Sequence, residues 1–550
     1  MPSDSVSRST ASWRIPVDLR RFPWIRKLAA DYAFNFPSVS RFFAGDPADT
    51  QSWRDAIARV QARDRPRREV VDLLLAQQAH RGAPPEARAA TSLLADPRSV
   101  AIVTGQQAGL FGGPVFTLLK SLTALKLVEV LRSEYRTPAV AIFWIDAEDH
   151  DWNEVASCTV LDADLRTRTI TLPAPEGAGE VPVASVRLDE GVLKALSDLE
   201  AALPATEFTA PLIASIGEAY RPGRGMAEAF GRWLETVLGS RGLIVYDSSD
   251  AASKPLVGQV FARELESQGR TSQLAASAGA ELEGLGYHAQ VMPQDGPALF
   301  HLDGRRRAIR REGNAYVLGN DRHDPTALQQ SVITEPTAFS PNVLLRPIVQ
   351  DTLFPTVCYV TGPNELGYQA QLRAVFEYFG IPMPLYYPRA SATILDSGAA
   401  RFLARYELPL ESLQPQDEGA LNRLLESQQP SSIERALQEA THAVEERMTA
   451  LANAVPTLDP TLEGAVRSTL GKMQHELKSL HSKIIHAAKR RDDTLRRQFE
   501  RTRMQAFPGG QPQERAIAFL SFLARYGPSL VDRLDDELPL DLGHHWAFTL

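Results

Sequence analysis

Val100-Ala-Ile-Val-Thr-Gly-Gln-Gln-Ala-Gly-Leu-Phe-Gly-Gly-Pro114 leads through a helical run into Ala139-Val-Ala-Ile-Phe-Trp-Ile-Asp-Ala-Glu-Asp-His-Asp-Trp-Asn-Glu154. Both apolar runs are rich in β-branched residues, the pattern of parallel strands covered on two faces. The glycines at 105, 109, 112 and 113 allow a sharp turn and a close approach of backbone to a ligand. The second run ends in Asp146, Glu148, Asp149, His150 and Asp151. In open α/β sheets ligands bind beyond the carboxyl ends of the strands. One βαβ unit therefore brings a small-polar loop and a cluster of acids with an imidazole to the same rim.

Apolar strand candidates recur at 243–247, 356–361 and 384–388, alternating with helical stretches. That alternation predicts an α/β fold, a doubly wound parallel sheet with a core over 99–395. Two stretches interrupt it. The first, about 155–215, carries β-like runs at Thr167–Leu172 and Val181–Val186. The second, about 270–340, carries His288–Met292, Ala298–Leu302, Arg305–Arg311 and Ala315–Leu318, the pattern of a small inserted antiparallel sheet. Residues 1–98 read as mainly helical and packed on the core.

From about 410 the chain becomes rich in Glu, Arg, Leu, Ala and Gln. Ile433, Leu437, Ala440, Val444, Leu451 and Val455 follow a three-four spacing. So do Val466, Leu470, Met473, Leu477, Leu480, Ile484 and Ala487, with Pro456 and Pro460 between the runs. This predicts an antiparallel helical hairpin with a coiled-coil seam within 410–507. Residues 508–550 predict a helix and an extended tail returning to the core.

A chain of 550 residues is expected to hold two or three domains. Its hydrophobic content of 44% and charged content of 23% are those of an ordinary soluble protein. A net charge of −8 argues against a nucleic-acid partner, though not against a local basic pocket. Cys158 and Cys358 are far apart and in no metal-type spacing, so neither a disulfide framework nor a metal site is expected. No apolar run has signal-peptide length, and none approaches the roughly 20 residues of a membrane span. A cytoplasmic protein with no membrane partner is the expectation.

Four constellations carry chemistry. The loop Gln106–Gly113 presents backbone N–H groups at a helix start, where phosphate or carboxylate binds; the plainer alternative is a packing turn. It lacks the Gly-Lys-Ser/Thr ending of a Walker loop, and Lys120 downstream reads as a surface residue. The Asp146–Asp151 cluster suits a divalent cation, an ammonium group or acid–base work, or simply offsets a helix dipole. In Tyr359-Val-Thr-Gly-Pro-Asn-Glu-Leu-Gly-Tyr-Gln-Ala-Gln371, Glu365, Tyr368 and Gln371 fall close together, fit to grip an amino or hydroxyl group or to cap a helix. Arg389, Ser391 and Thr393 form an anion-recognition set or a plain strand exit. A basic run, 489–503, is either a solvated helix face balanced by Asp492, Asp493 and Glu500 or a pocket for nucleotide phosphates.

Taken together these blocks resemble one family, BshC, the cysteine ligase of bacillithiol biosynthesis. The likeness is carried by Thr104–Phe111, Trp144–Asp151, Phe339–Pro347, Gln350–Leu353, Gly362–Glu365, Phe379–Pro384, Pro388–Thr393, Lys489–Arg490 and Pro512–Arg515. It spans nearly the whole chain. It departs at Gly112, where Thr is expected, and at Asp146–Ala147, where a small pair is expected.

The resemblance implies a Rossmann-like core with two inserted connecting segments, and a coiled-coil domain that pairs protomers into a homodimer. It implies amide formation between L-cysteine and the amine of glucosaminyl-malate, the last step of bacillithiol assembly. Such a core is similar to class I aminoacyl-tRNA synthetases, where the first strand–helix turn and the loop after the last strand cradle ATP. Gln106–Gly109 and Arg389–Ser391 stand in those places, without the usual histidines or lysines.

On this resemblance Gln106, Gln107, Gly109, Asn342, Arg346, Glu365, Tyr368, Arg389 and Ser391 are expected to bind substrate. Glu148, Asp149 and Asp151, with Glu365, are expected to orient the sugar amine, and His150 to act as base. ATP or ADP is expected against Lys489, Arg490 and Arg515. The rival readings are a nucleotidyl transferase activating another small acid or amine, and a coiled-coil scaffold that binds a metabolite. A metallohydrolase is the weakest, because no second histidine lies at ligand spacing.

Overall fold

In the computed structural model, the structure describes residues 14–175, 177–291, 295–414, 419–427, 431–491 and 493–549, with side chains described except at 431 and 488–491. The chain divides into two compact units. The larger comprises Arg14–Thr393 and Pro512–Phe548, and the smaller is built on Ile394–Gln511.

Five fully parallel strands form the centre of the larger unit: β1 (Val100–Gln106), β2 (Ala139–Ile145), β3 (Leu243–Asp247), β4 (Thr356–Thr361) and β5 (Leu385–Pro388). They lie in the order β5-β4-β1-β2-β3. Apart from Gln106 and Asp247 at their carboxyl ends, all their residues are buried, as expected for strands covered on both faces. The strand order reverses between β1 and β4, and the crevice above that reversal is where this architecture places ligands. The helix Val115–Ser133 carries the crossover from β1 to β2 and buries Leu118, Leu119 and Leu122 against the sheet. The expected α/β class and Rossmann-like core are therefore present.

The second interruption of the sequence is an antiparallel sheet of Leu299–Leu302, Arg306–Glu312, Ala315–Leu318, Asp321–His323 and Phe339–Pro341. In the first, Thr167–Thr171 pairs with Ser157–Leu161, a strand the hydrophobic pattern did not single out.

Two expected strands are absent. Val181–Val186 forms a short 3-10 turn at Val183–Ser185, because the N–H groups of Val183 and Ala184 donate to the carbonyls of Asp149 (2.7 Å) and Ala147 (2.9 Å). His288–Val291 is not a strand either. The N–H groups of Gln290 and Val291 both donate to Oε1 of Gln371 at 3.0 Å, so a side-chain amide replaces a strand partner. Met292, the last residue of that expected strand, lies outside the described residues. Two further elements of the large unit lie at its ends: Arg14–Asp18 pairs antiparallel with His544–Phe548.

The smaller unit contains the hairpin of Ser431–Ala454 and Leu462–Arg491. Its seam is half-buried at Leu437, Thr441, Val444, Met448, Val466, Leu470, Leu477, His481 and Ile484. Ile433, Leu451, Met473 and Leu480 belong to the apolar pattern but stay exposed. No described helix is long and apolar enough to cross a membrane.

Candidate active site

The turn after β1 is shaped by close packing. Phe111, Gly112 and Gly113 run consecutively at positive φ. A Cβ on Gly112 would lie 2.7 Å from the rings of Trp233 and Phe519, which explains glycine where threonine was expected. The helix start is then closed from outside. The N–H of Val115 donates to the Ile517 carbonyl at 2.8 Å, and Pro114 bridges to Ala518. Gly109 is likewise a packing residue, its carbonyl accepting from the Tyr220 hydroxyl at 3.3 Å.

The ligand space lies beside this turn, at the switch point. A cleft of about 590 Å³ is lined by Gly105 and Gln106 from β1, Gln107 just beyond it, Asp146, Asp149, His150 and Glu154 after β2, and Tyr359, Glu365 and Tyr368 from β4 and the turn beyond. The inserted sheet and its exit add Phe300, Arg306, Pro341 and Asn342, and Arg346 enters from the helix Arg346–Leu353. Asn342 sets that helix: its Oδ1 accepts from the N–H groups of Leu344 (2.9 Å) and Leu345 (3.2 Å).

Arg346 packs 4.8 Å from the Trp144 ring and 3.9 Å from Asp146. Burial opposes its charge, but Tyr359, Asp146, Tyr368 and Glu365 outweigh that and raise its pKa. Burial also pushes the Asp146 carboxyl up, with Arg346 pulling the other way. Lys120 is not a surface residue. It is 1% exposed, and its Nζ donates to the Gly105 carbonyl (2.9 Å), Gln106 Oε1 (3.3 Å) and Glu365 Oε1 (2.7 Å). Burial lowers the Lys120 pKa. Burial would raise Glu365, but the ammonium beside it holds its carboxyl below the usual range.

Asp149 is the hub of the opposite charge cluster. Its Oδ2 accepts from Gln107 Nε2 (2.8 Å), and its Oδ1 from the His150 N–H (2.7 Å) and from Arg306 Nη1 (3.3 Å). The His150 Nδ1 lies 3.3 Å from the same Oδ1 but is buried without a hydrogen-bond partner. Among the described residues, no group of three or more His, Cys, Asp or Glu is placed to hold a metal ion.

Comparison with known proteins decides the family. The model described as "Bacillithiol biosynthesis BshC, N-terminal Rossmann-like domain" matches residues 16–390, and "Bacillithiol biosynthesis BshC, C-terminal coiled-coil domain" matches 392–549. The chain belongs to the BshC family. A relative from Salinibacter ruber, named "Putative cysteine ligase BshC", is 32% identical over 536 residues, covering 96% of this chain and 97% of its own. Relatives of the same name from Chlorobaculum tepidum and Symbiobacterium thermophilum are each 32% identical, over 80% and 82% of this chain and 81% and 84% of theirs.

Within this family chain, the residues expected from sequence separate into two groups. Gln106, Gln107, Asp149, His150, Asn342, Arg346, Glu365 and Tyr368 meet in the cleft. Glu148, Asp151, Gly109, Arg389 and Ser391 do not line it. Glu148 is sealed in an ion pair with Lys254, whose Nζ also donates to the Phe339 carbonyl at 3.1 Å. Asp151 caps the short helix Trp152–Val155. Gln371 is spent on the backbone of 290–291.

Arg389 donates to Glu514 Oε1 at 2.7 Å, and the Ser391 hydroxyl to the same carboxylate at 3.0 Å, so both are consumed in an internal network. Exposed Arg515 lies 5.8 Å from the Phe116 ring, outside the cleft lining. The side chains of Lys489 and Arg490 lie outside the described residues. Sequence reasoning missed Lys120, Arg306 and Lys254. Lys120 alone left a signal, a lone cation in the apolar first half of its helix.

Proposed function

We propose that this chain is a ligase that joins L-cysteine to the amine of glucosaminyl-malate through an amide, in the last step of bacillithiol biosynthesis. The family supplies the reaction class. The observation that carries the reading to this site is one cleft that holds an imidazole beside a carboxylate together with two buried guanidiniums, Arg306 and Arg346. Amide formation needs a neutral amine and an anchored carboxylate. His150 takes the proton that the sugar nitrogen loses as it attacks the cysteine carboxyl carbon. The C–N bond forms, and one carboxyl oxygen of cysteine leaves, as phosphate where a phosphoryl donor has activated that carboxyl and otherwise as water. Arg346, which lines the cleft and holds Asp146 only at 3.9 Å, anchors a substrate carboxylate.

The positions the resemblance gave to ATP phosphates fit poorly. The Gly109 N–H donates to the Gln107 carbonyl, the Gly109 carbonyl accepts from Tyr220, and the side chains of Arg389 and Ser391 already have protein partners. No step is therefore routed through a nucleotide. The test is reconstitution: protein, glucosaminyl-malate and L-cysteine, with and without ATP, followed by mass spectrometry. The condensed thiol is expected from the wild type and not from His150→Gln. No product under either condition overturns the reading.

A further inference from the structure

The arginine–carboxylate pairs of the large unit differ in tightness according to place. Arg389–Glu514 and Arg81–Glu235, both away from the cleft, close at 2.7 and 2.8 Å, the ordinary length of a charge-assisted bond. The two guanidinium–carboxylate pairs that line the cleft are stretched, Arg306–Asp149 to 3.3 Å and Arg346–Asp146 to 3.9 Å. Arg306 is delivered by the inserted sheet and held rigidly. Its Nη2 donates to the Pro341 carbonyl at 3.0 Å, its Cζ lies 3.9 Å from the Phe300 ring centre, and its side chain is 9% exposed. Its Nε reaches the Ser340 hydroxyl at 3.4 Å, and Nη1, on the side of Asp149, ends in a bond of 3.3 Å.

Asp149 shares its donors unevenly, one on Oδ2, from Gln107, and two on Oδ1. Its Oδ1 serves the His150 N–H and Arg306, leaving the buried Nδ1 of His150 without a hydrogen bond at 3.3 Å. A buried polar atom left unpaired is destabilising. The free site is therefore one rearrangement short of full satisfaction.

We propose that a carboxylate of the substrate replaces Asp149 on Arg306, and that the released Asp149 then accepts a hydrogen bond from His150 Nδ1–H. The imidazole becomes an oriented base only when the acidic substrate is seated. Arg306 is thus both a specificity residue for an acid-bearing amine and the gate on the base. This rests on the reading of His150 as the base. It also gives the insertion a task, since it brings the gate to the cleft. The other charged groups around His150 are Asp146, Asp151 and Glu154 on its own segment and Arg346, Lys120 and Glu365 across the cleft. None of these shares an oxygen with both Arg306 and His150.

The test is NMR of protein carrying 15N-histidine, with His150 assigned by its loss in His150→Gln. In the wild type, saturating glucosaminyl-malate should bring up a hydrogen-bonded Nδ1–H signal from His150. In Arg306→Gln that signal should be present without ligand, and in Asp149→Ala, which has no acceptor, it should be absent throughout. If Arg306→Gln does not fold, the Asp149→Ala arm and the wild-type titration decide alone. A wild type with no ligand-induced signal, or an Asp149→Ala protein that keeps it, overturns the gate. Amide formation without the signal sinks the gate and spares the reaction; the signal without amide does the reverse.

Discussion

A methyl group at position 105 would lie 2.7 Å from the Trp144 carbonyl oxygen and 3.0 Å from Nη2 of Arg346. The first atom is backbone and cannot yield, so Gly105→Ala must push β1 from β2 or move the guanidinium. Overpacking of this kind costs about 1–3 kcal/mol. A lowered melting temperature is expected in a thermal scan, together with a raised KM for glucosaminyl-malate, since the displaced arginine lines the cleft. Glu148 and His150 separate by the same logic. Glu148→Gln strips the partner from a 5% exposed Lys254, and breaking such a pair costs about 3–5 kcal/mol. The loss should appear as instability in denaturant melts, whereas His150→Gln should lose turnover with stability kept. Equal melts for the two variants would contradict this division. Sequence could place both residues in one acidic cluster, but not tell them apart. That distinction depends on Lys254, more than 100 positions away, and no local pattern announces it.

At the scale of elements, the five core strands were legible because burial on both faces leaves an unbroken apolar run. The strand at Ser157–Leu161 and the pairing of Arg14–Asp18 with His544–Phe548 were not, because those stretches are short and mixed in polarity. What fastens the C-terminal segment is polar. Glu514 accepts from Arg389, Ser391 and the Ala392 N–H, and buried His545 sits between the hydroxyls of Ser391 (2.7 Å) and Thr393 (2.8 Å). Burial lowers the His545 pKa from 6.5 to about 4, with Glu514 opposing the shift and Arg389 adding to it. An unfolded imidazole takes its proton near 6.5 while the folded one resists, so this histidine's contribution is whole above that pH and falls as pH drops toward 4. The window is worth about 3 kcal/mol. Measured by urea melts from pH 7 to pH 4, the advantage of the wild type over His545→Gln should shrink by about that amount. A constant difference would mean that the folded imidazole titrates normally.

For the whole molecule, the exposed side of the hairpin poses the remaining question. Leu451 and Leu480 are 46% and 48% exposed, and Ile433 and Met473 are nearly as open, although all four fit the apolar repeat. They belong to the same three-four runs as the half-buried seam, on helices of 24 and 30 residues, so the hairpin leaves part of its own apolar stripe uncovered. The family resemblance implies that the coiled coil pairs protomers, and these residues are where a second copy would bury apolar area. The double variant Leu451→Glu/Leu480→Glu leaves the inner seam of Leu437, Val444, Leu470 and Leu477 untouched. It should keep its helical circular dichroism while its mass by light scattering falls from dimer to monomer. Two other results count against this interface. A wild type already monomeric at tens of micromolar would remove the dimer, and a double variant that stays dimeric would move the contact elsewhere on the chain.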